Sequence, residues 1–129
     1  MRITGLDHVV IYATDIDRTI DFYTKVLSMT HVVFDDTYQA LHFGDQKINL
    51  HDAASPFVPH AEKPAAGGFD VCLLTDAPVD DVVAHLRAHD VNVVDGPCEQ
   101  TGARGAMTSV YLKDPDGNLI EIASYEVQQ

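Results

Sequence analysis

The chain opens on an alternation of apolar and polar residues that predicts a strand and then a helix. The segment 7–13 is rich in β-branched residues, and it ends at Thr14 and Asp15, either of which suits a helix N-cap. From Ile16 onward, apolar residues recur at offsets of four, seven and eleven positions, the spacing of one face of an amphipathic helix. Three strand-like runs follow, at 30–34, 38–43 and 47–51. The first part of the chain therefore predicts the order βαβββ.

The same order recurs after a segment that lacks any periodicity. Residues 52–68 contain three prolines and two adjacent glycines, which is the composition of a connector. Residues 69–75 predict a strand, and apolar residues spaced three and four apart from Val79 to Leu86 predict a second helix. Three further strands are predicted at 91–94, 106–113 and 119–124. The second part thus repeats the order βαβββ.

This internal repeat predicts the fold class and the domain organisation. We expect one domain, 1–129, with module one at 1–51, the connector at 52–68 and module two at 69–129. Two βαβββ modules can pair their sheets, so the prediction is an α+β fold in which two paired modules form a curved mixed sheet with a concave cleft. Since ligand sites are concave, we expect the functional site on that open side.

Composition and charge exclude several classes of function. Of the 129 residues, 46% are hydrophobic and 22% are charged, as in folded soluble domains. The formal net charge of −12 disfavours binding to nucleic acid or to an anionic membrane surface. No apolar run approaches the ~18 residues of a membrane span, and Met1 does not open a signal peptide, so we expect a cytoplasmic protein. Cys72 and Cys98 lack a disulfide or metal spacing and are expected to be reduced thiols.

Polar side chains occupy related strand positions in the two modules. Aligning the modules places His8 near Asp70 and Asn49 near Glu121, and strand alternation puts His51 on the same face as Asn49. Glu121 lies between two isoleucines, and because an isolated buried carboxylate costs several kcal/mol, it either reaches solvent or is held by a cation. Imidazole and carboxylate ligands with an open coordination position suit a divalent ion such as Zn, Ni, Mn or Fe(II). For each residue taken alone, an ordinary surface or core role is the alternative.

Segments across essentially the whole chain resemble one known superfamily. The resemblance rests on residues 6–11 (LDHVVI), 22–27 (FYTKVL) and above all 114–122 (DPDGNLIEI). These segments resemble the vicinal oxygen chelate superfamily, which includes glyoxalase I, extradiol dioxygenases, fosfomycin-resistance proteins and methylmalonyl-CoA epimerase. Residues 40–51 (ALHFGDQKINLH) are most similar to the small glyoxalase-domain-containing proteins and virulence-associated lyase-like proteins.

The resemblance implies a metal site and suggests its ligands. His8 and Glu121 match two ligand positions of the family directly. A third ligand position, on the first strand of module two, is usually His and is Asp70 here. A fourth position, usually Glu or Gln, is Asn49, and His51 lies one pleat beyond it. Either Asp70 or His51 therefore completes the predicted site, and a plain strand-end role stays open for His51.

The resemblance also suggests residues that contact the substrate. Tyr111 and Ser109 share one face of the seventh strand, where related proteins place substrate contacts, although half-buried packing is the alternative for Tyr111. Arg104 lies in a glycine-flanked loop that suits an anionic group, with a solvated loop role as the alternative. Asn49 completes this set of candidates.

By resemblance, the expected function is a metal-dependent glyoxalase-like lyase or isomerase that acts on a small substrate with two neighbouring oxygens. The metal binds those oxygens, and Glu121 or a displaced ligand moves a proton. Extradiol-type ring cleavage is a second possibility. A non-catalytic protein that binds a small drug or metabolite is a third, because Asp70 and Asn49 depart from the family pattern. A homodimer is expected, since single-module members of the family commonly complete their sites with a second copy.

Overall fold

The protein has an α+β fold in which one order of elements occurs twice. Within residues 1–125, which a computed structural model describes, the chain forms eight strands and two helices. In chain order these are β1 (His8–Ala13), α1 (Ile16–Lys25), β2 (Thr30–Phe34), β3 (Tyr38–Phe43), β4 (Gln46–Asp52), β5 (Asp70–Leu74), α2 (Val79–Ala88), β6 (Asp95–Gly102), β7 (Gly105–Lys113) and β8 (Leu119–Ser124). The chain divides into two compact units, Met1–Gly67 and Gly68–Gln129. The predicted α+β class with two βαβββ modules is confirmed, whereas the single domain spanning 1–129 stays a prediction.

In the first unit, the sheet has the strand order β1-β4-β3-β2. Strand β1 runs parallel to β4, and β3 is antiparallel to both of its neighbours. Alternate residues such as Ile11, Ile48 and Leu50 are buried, because one face of this sheet forms the core with the helix. The side chains between them, including Val10 and Asn49, lie on the opposite, open face.

Helix α1 covers the core of the first unit and begins where the sequence predicts. The Asp15 carboxylate is the N-cap and accepts a hydrogen bond of 3.1 Å from the Arg18 backbone N–H. Thr19 and Tyr23, four residues apart, are the buried positions of the helix. The chain leaves the helix through Ser28, whose φ of 58° reverses its direction toward β2.

In the second unit, the sheet has the equivalent order β5-β8-β7-β6. Strand β5 is parallel to β8, and β7 is antiparallel to β8 and β6. Val110, Leu112 and Ile120 are fully buried in its core, as is Leu86 of helix α2. Neither helix in the described part of the chain is long and apolar enough to cross a membrane.

A buried polar loop joins β7 to β8 and fixes the start of β5. The Asp114 carboxylate accepts hydrogen bonds from the backbone N–H groups of Asp116 and Asn118, at 3.0 and 2.9 Å, and from the Asn118 side-chain amide at 2.7 Å. The Asn118 Oδ1 atom accepts a hydrogen bond of 2.9 Å from the Phe69 backbone N–H, immediately before β5. The motif therefore holds the two parallel strands of the second unit side by side.

The prediction of a strand at 91–94 is wrong. The segment directly after α2 is irregular, and the strand β6 comprises the more polar residues Asp95–Gly102. Val91 is still tied to the helix end, because its N–H bonds to the Leu86 carbonyl at 2.9 Å. Pairing with β7 decides where the strand forms, and a register shift between Asp95 and Cys98 accommodates the glycine turn within it.

Candidate functional site

The open face of the second sheet carries a carboxylate with a thiol and a phenol beside it. Glu121 on β8 is directly opposite Cys72 on β5 and directly opposite Tyr111 on β7. Burial, the Glu121 charge and a side-chain hydrogen bond to Glu121 raise the pKa of the Cys72 thiol to about 11. The same three causes, burial first, raise the pKa of the Tyr111 phenol. Both groups are therefore protonated at neutral pH and act as donors toward the carboxylate.

Glu121 retains unused hydrogen-bonding capacity. Its Oε2 atom is buried and has no hydrogen-bond partner among the residues that the structure describes. Asp70 lies on the same face, two positions before the residue opposite Glu121. Diagonal neighbours of this kind have Cα atoms about 7–8 Å apart. The second unit thus brings together two carboxylates, one exposed and one with an unpartnered oxygen.

Ser109 and Arg104 differ in their relation to this cluster. Ser109 is fully buried on the same face of β7 as Tyr111, and its Oγ atom has no hydrogen-bond partner in the described part of the chain. Arg104 lies at the turn between β6 and β7, where its guanidinium packs 4.4 Å from the centre of the Tyr125 ring. Its backbone N–H donates to the Tyr125 hydroxyl at 3.1 Å. Arg104 precedes Tyr111 by seven positions, roughly 20 Å along a strand. The unit brings Ser109 to the cluster and leaves Arg104 far from it.

In the first unit, His8 is held by its neighbour. Its Nδ1 atom lies 2.8 Å from the Asp7 carboxylate, and this hydrogen bond, followed by the charge of the imidazole, lowers the pKa of Asp7. A carboxylate bonded to one nitrogen of a histidine fixes the ring and leaves Nε2 as the nitrogen that can bind a metal. His8 is 43% exposed at its side chain and accessible to an ion.

Asn49 and His51 follow one another on the open face of β4. The Asn49 Oδ1 and His51 Nδ1 atoms are both buried and lack hydrogen-bond partners within residues 1–125. Burial, with a smaller contribution from the charge of His60, lowers the pKa of His51, so its imidazole is neutral at neutral pH. His8 is opposite Lys47. His51 therefore lies four residues further along β4 than the residue opposite His8, a distance of about 13 Å at the rise of a strand.

A row of rings crosses the open face of the first sheet at the level of His51. Tyr12 is directly opposite His51, and their rings meet edge to face with centroids 5.7 Å apart. Phe57, from the segment after β4, contacts the His51 ring at 5.0 Å and the Tyr38 ring at 4.8 Å. Tyr38 stacks on Phe34 at 5.2 Å. We call these five side chains the aromatic row.

An open recess adjoins one end of the aromatic row. It has a volume of about 360 Å³, and its lining residues are Val10, Tyr12, His51, Pro59, His60 and Ala61. Half of this lining comes from the segment between β4 and β5. The predicted connector therefore also supplies one wall of a potential ligand site.

Register explains which predicted site residues are equivalent. Val10 is opposite Asn49 in the first unit, as Cys72 is opposite Glu121 in the second.

Within residues 1–125, no three His, Cys, Asp or Glu side chains form a group that could hold a metal ion. The predicted ligand set, which combines His8 with Glu121, stays a prediction.

The sequence analysis did not assign a role to Cys72, Tyr12 or Phe57. Cys72 and Tyr12 become candidates only when β5 is known to pair with β8 and β1 with β4. Phe57 lies in a segment without periodicity, so no pattern predicted its contact with His51. The alternation of faces within each strand was available from the sequence, but the identity of the neighbouring strand was not.

The repeated βαβββ units and the polar open face of each sheet define a protein of the glyoxalase-like class. The family model described as the Glyoxalase/Bleomycin resistance protein/Dioxygenase superfamily matches residues 5–122. The chain belongs to this superfamily, as the resemblance predicted.

Individual relatives agree with this assignment. The chain is 46% identical over 125 residues to the virulence protein STM3117 of Salmonella typhimurium, covering 97% of this chain and 87% of that protein. The crystal structure of that virulence protein superimposes with a TM-score of 0.96 at 45% identity, covering 98% of this chain and 100% of the other. A glyoxalase domain-containing protein of Mycosarcoma maydis is 45% identical over 126 residues, which is 98% of this chain and 71% of that protein. A lactoylglutathione lyase of Arabidopsis thaliana is 29% identical over 121 residues, which is 89% of this chain and 42% of that protein.

Proposed function

We propose that this protein is a metal-dependent lyase or isomerase of the glyoxalase type, acting on a small substrate with two neighbouring oxygens. The observation that carries the proposal is Glu121, a half-buried carboxylate whose Oε2 atom lacks a partner among the described residues. Leaving a buried charge without a counter-charge costs several kcal/mol, and a divalent cation offsets that cost. The similarity to a lactoylglutathione lyase supports the reaction class.

The proposed ligands are His8, Glu121 and Asp70, with Asn49 as a fourth donor. These side chains carry donor atoms of the kind that divalent ions accept. Glu121 Oε2 and Asn49 Oδ1 are unpartnered in the described chain, and the His8 Nδ1 atom is already bonded to Asp7, which leaves Nε2 available. Mixed imidazole and oxygen ligands suit Zn, Ni, Mn or Fe(II). A bound ion would polarise the two substrate oxygens and stabilise developing enolate charge.

We favour Asp70 over His51 as the third ligand. Asp70 is a diagonal neighbour of Glu121 in the second sheet. His51 is packed between Tyr12 and Phe57 in the aromatic row, and its Nδ1 atom is buried. The conformation of His51 is thus set by ring contacts rather than by neighbouring ligands.

The chain's own groups have a distinct task around Glu121. The phenol of Tyr111 and the thiol of Cys72 stay protonated at neutral pH because their pKa values are raised, by burial first and by Glu121 second. As hydrogen-bond donors they fix the orientation of the Glu121 carboxylate. Glu121, or another ligand that the substrate displaces, would move a proton to or from a carbon of the substrate.

The test is metal content and metal affinity of protein purified without chelator or affinity tag. We expect a stoichiometric divalent ion, with affinity reduced at least about tenfold by Glu121→Gln and by Asp70→Asn, and little changed by His51→Ala. Glu99→Gln is the matched control, since Glu99 is an exposed carboxylate on β6. A native protein that binds no divalent ion, or full affinity in Glu121→Gln, contradicts the proposal.

Two other functions remain as alternatives with their own readouts. Extradiol-type ring cleavage requires consumption of O₂ by the iron-loaded protein. A non-catalytic binding protein is favoured by the oxygen donors Asp70 and Asn49 where family members usually have His and Glu or Gln. It predicts ligand binding that is unchanged when all metal is removed.

We also propose that the protein is a cytoplasmic homodimer, as the superfamily often dimerises. Light scattering coupled to size exclusion is expected to give twice the mass of the chain. A monomer mass at micromolar concentration contradicts this proposal.

A further inference from the structure

We propose that the recess beside Tyr12 and His51 is a binding subsite for an uncharged phenolic ring. As a substrate subsite it rests on the proposed function, whereas ring binding itself requires only the first unit. The recess has a volume of about 360 Å³. Pockets that bind small molecules have volumes of about 300–1,000 Å³, so one ring with a small substituent fits.

The walls of the recess favour a flat, apolar ligand. Val10, Pro59 and Ala61 supply aliphatic surface, and Tyr12 supplies a ring. The Tyr12 ring is fixed at 87° to that of His51, which itself is fixed at 88° to that of Phe57. Rings that are already held by edge contacts lose little freedom when another ring packs against them.

The residue types that line the recess favour an uncharged ligand. Asp, Glu, Lys and Arg are absent from the lining residues of this recess in the described chain. A carboxylate or phosphate would therefore lose its hydration without gaining a cationic partner. His60 uses its Nδ1 atom in a contact of 2.7 Å with the Ala61 carbonyl.

The unpartnered His51 nitrogen selects a hydroxyl. The Nδ1 atom is buried and lacks a hydrogen-bond partner within residues 1–125. A buried polar atom without a hydrogen bond costs free energy, and a polar group of a ligand can remove that cost by bonding to it. The Nδ1 atom of an imidazole is a donor in one tautomer and an acceptor in the other. A hydroxyl group can accept a hydrogen bond from Nδ1 in the tautomer that carries the proton there. It can donate a hydrogen bond to Nδ1 in the other tautomer, so it satisfies both. A planar ring that carries one hydroxyl group combines both requirements.

The experiment compares phenol with toluene, which has the same ring but a methyl group in place of the hydroxyl. Both are titrated into ¹⁵N-labelled protein in chelator, with backbone and imidazole shifts as the readout, and benzoate is the charged comparison. We expect phenol to bind about five-fold more tightly than toluene, the preference of one net hydrogen bond. Benzoate is expected to bind more weakly than both. The largest shifts are expected at Tyr12, His51 and His60.

The variant His51→Phe keeps a ring and removes the nitrogen. It is expected to abolish the preference for phenol while toluene still binds, and Tyr12→Leu is expected to weaken both ligands. The matched control is His31→Phe, because His31 is exposed on β2 and bonds to the Gln39 side chain at 2.8 Å. Equal affinities for phenol and toluene, or an undiminished preference in His51→Phe, overturn the proposal.

Metal experiments distinguish this inference from the proposed function. If Glu121→Gln keeps full metal affinity but phenol still binds at His51, the metal proposal fails and the ring subsite stands. If Zn²⁺ alone, added to metal-free protein, shifts the His51 and His60 imidazole signals and displaces phenol, the recess is a metal site and the ring subsite fails.

Discussion

At the scale of single residues, the second unit is distinguished by the environment of one carboxylate. A thiol and a phenol face Glu121 from the two neighbouring strands, and each has a raised pKa. The carboxylate thereby makes its neighbours poorer acids, and they in turn fix its orientation. This reciprocity can be measured through the more reactive partner, Cys72.

Cys72 is expected to react slowly with iodoacetamide near neutral pH although it is exposed. Its pKa of about 11 leaves a small thiolate fraction, so the rate is expected to rise with pH up to that value in chelator-treated protein. Glu121→Gln removes the repelling charge and is expected to increase the rate at pH 8 several-fold. The measurement is mass-spectrometric labelling in a Cys98→Ser background. A rate that levels off below pH 9, or no response to Glu121→Gln, contradicts this assignment.

Asn118→Ala is expected to destabilise the protein by about 3 kcal/mol. The substitution leaves the part-buried Phe69 N–H without its acceptor. It also removes the hydrogen bond that the Asn118 side-chain amide donates to the Asp114 carboxylate. Urea unfolding with an unchanged slope measures the change in the free energy of unfolding. The control is Asn92→Ala, at an exposed asparagine after α2. A loss below about 1 kcal/mol in Asn118→Ala would mean that water replaces these bonds.

At the scale of elements, the hairpin of β6 and β7 depends on one glycine. Gly96 has a φ of +90°, and a Cβ atom there would lie 2.5 Å from the Ser109 carbonyl oxygen. Gly96 therefore permits the register shift that ends at Cys98. The same hairpin positions Ser109 and Tyr111, so its geometry affects the site around Glu121.

Gly96→Ala is expected to cost about 2 kcal/mol or more, because left-handed strain adds to the backbone clash. Thermal unfolding measures the loss, and near-ultraviolet circular dichroism follows the packing of the five tyrosines. The matched control is Gly68→Ala, since a Cβ atom at Gly68 would meet no atom within 4 Å. Equal stabilities of the two variants would show that the hairpin adjusts without cost.

The sequence predicted well those elements that depend on signals within one segment. It predicted poorly those that depend on pairing between distant segments. Helix α1 was predicted because its cap at Asp15 and its apolar spacing are both contained in the segment. Strand β6 was missed because the valines at 91–94 have the higher strand propensity, while the pairing with β7 selects 95–102. The orientation of Glu121 followed from alternation, whereas its contact with Cys72 depends on strand order, which the sequence does not encode locally.

At the scale of the whole molecule, acidic charge dominates. The formal net charge is −12, with eight basic residues against twenty acidic ones. Charges of one sign repel within a compact chain, and dissolved salt screens this repulsion over a Debye length of about 8 Å at 0.15 M. The folded state is therefore expected to be less stable in dilute buffer than at 0.15 M salt.

Raising NaCl from 0.01 to 0.15 M is expected to increase the urea midpoint of metal-free protein. The double variant Glu62→Lys and Glu99→Lys is expected to show a smaller increase, since each replacement changes the net charge by two and both residues are exposed. Urea titrations at constant pH provide the measurement. A midpoint that is independent of salt in both proteins rules out self-repulsion as a destabilising effect.

Each sheet completes its hydrogen-bond ladder with strands of its own unit, because the first strand pairs with the fourth in both. A substitution on one open face therefore breaks no ladder in the other sheet. In evolutionary terms, the two halves of a duplicated chain can diverge separately. Here one half carries the aromatic row and the other a carboxylate with two proton donors. Selection for a new ligand can act on Tyr12 and His51 while the surroundings of Glu121 are conserved.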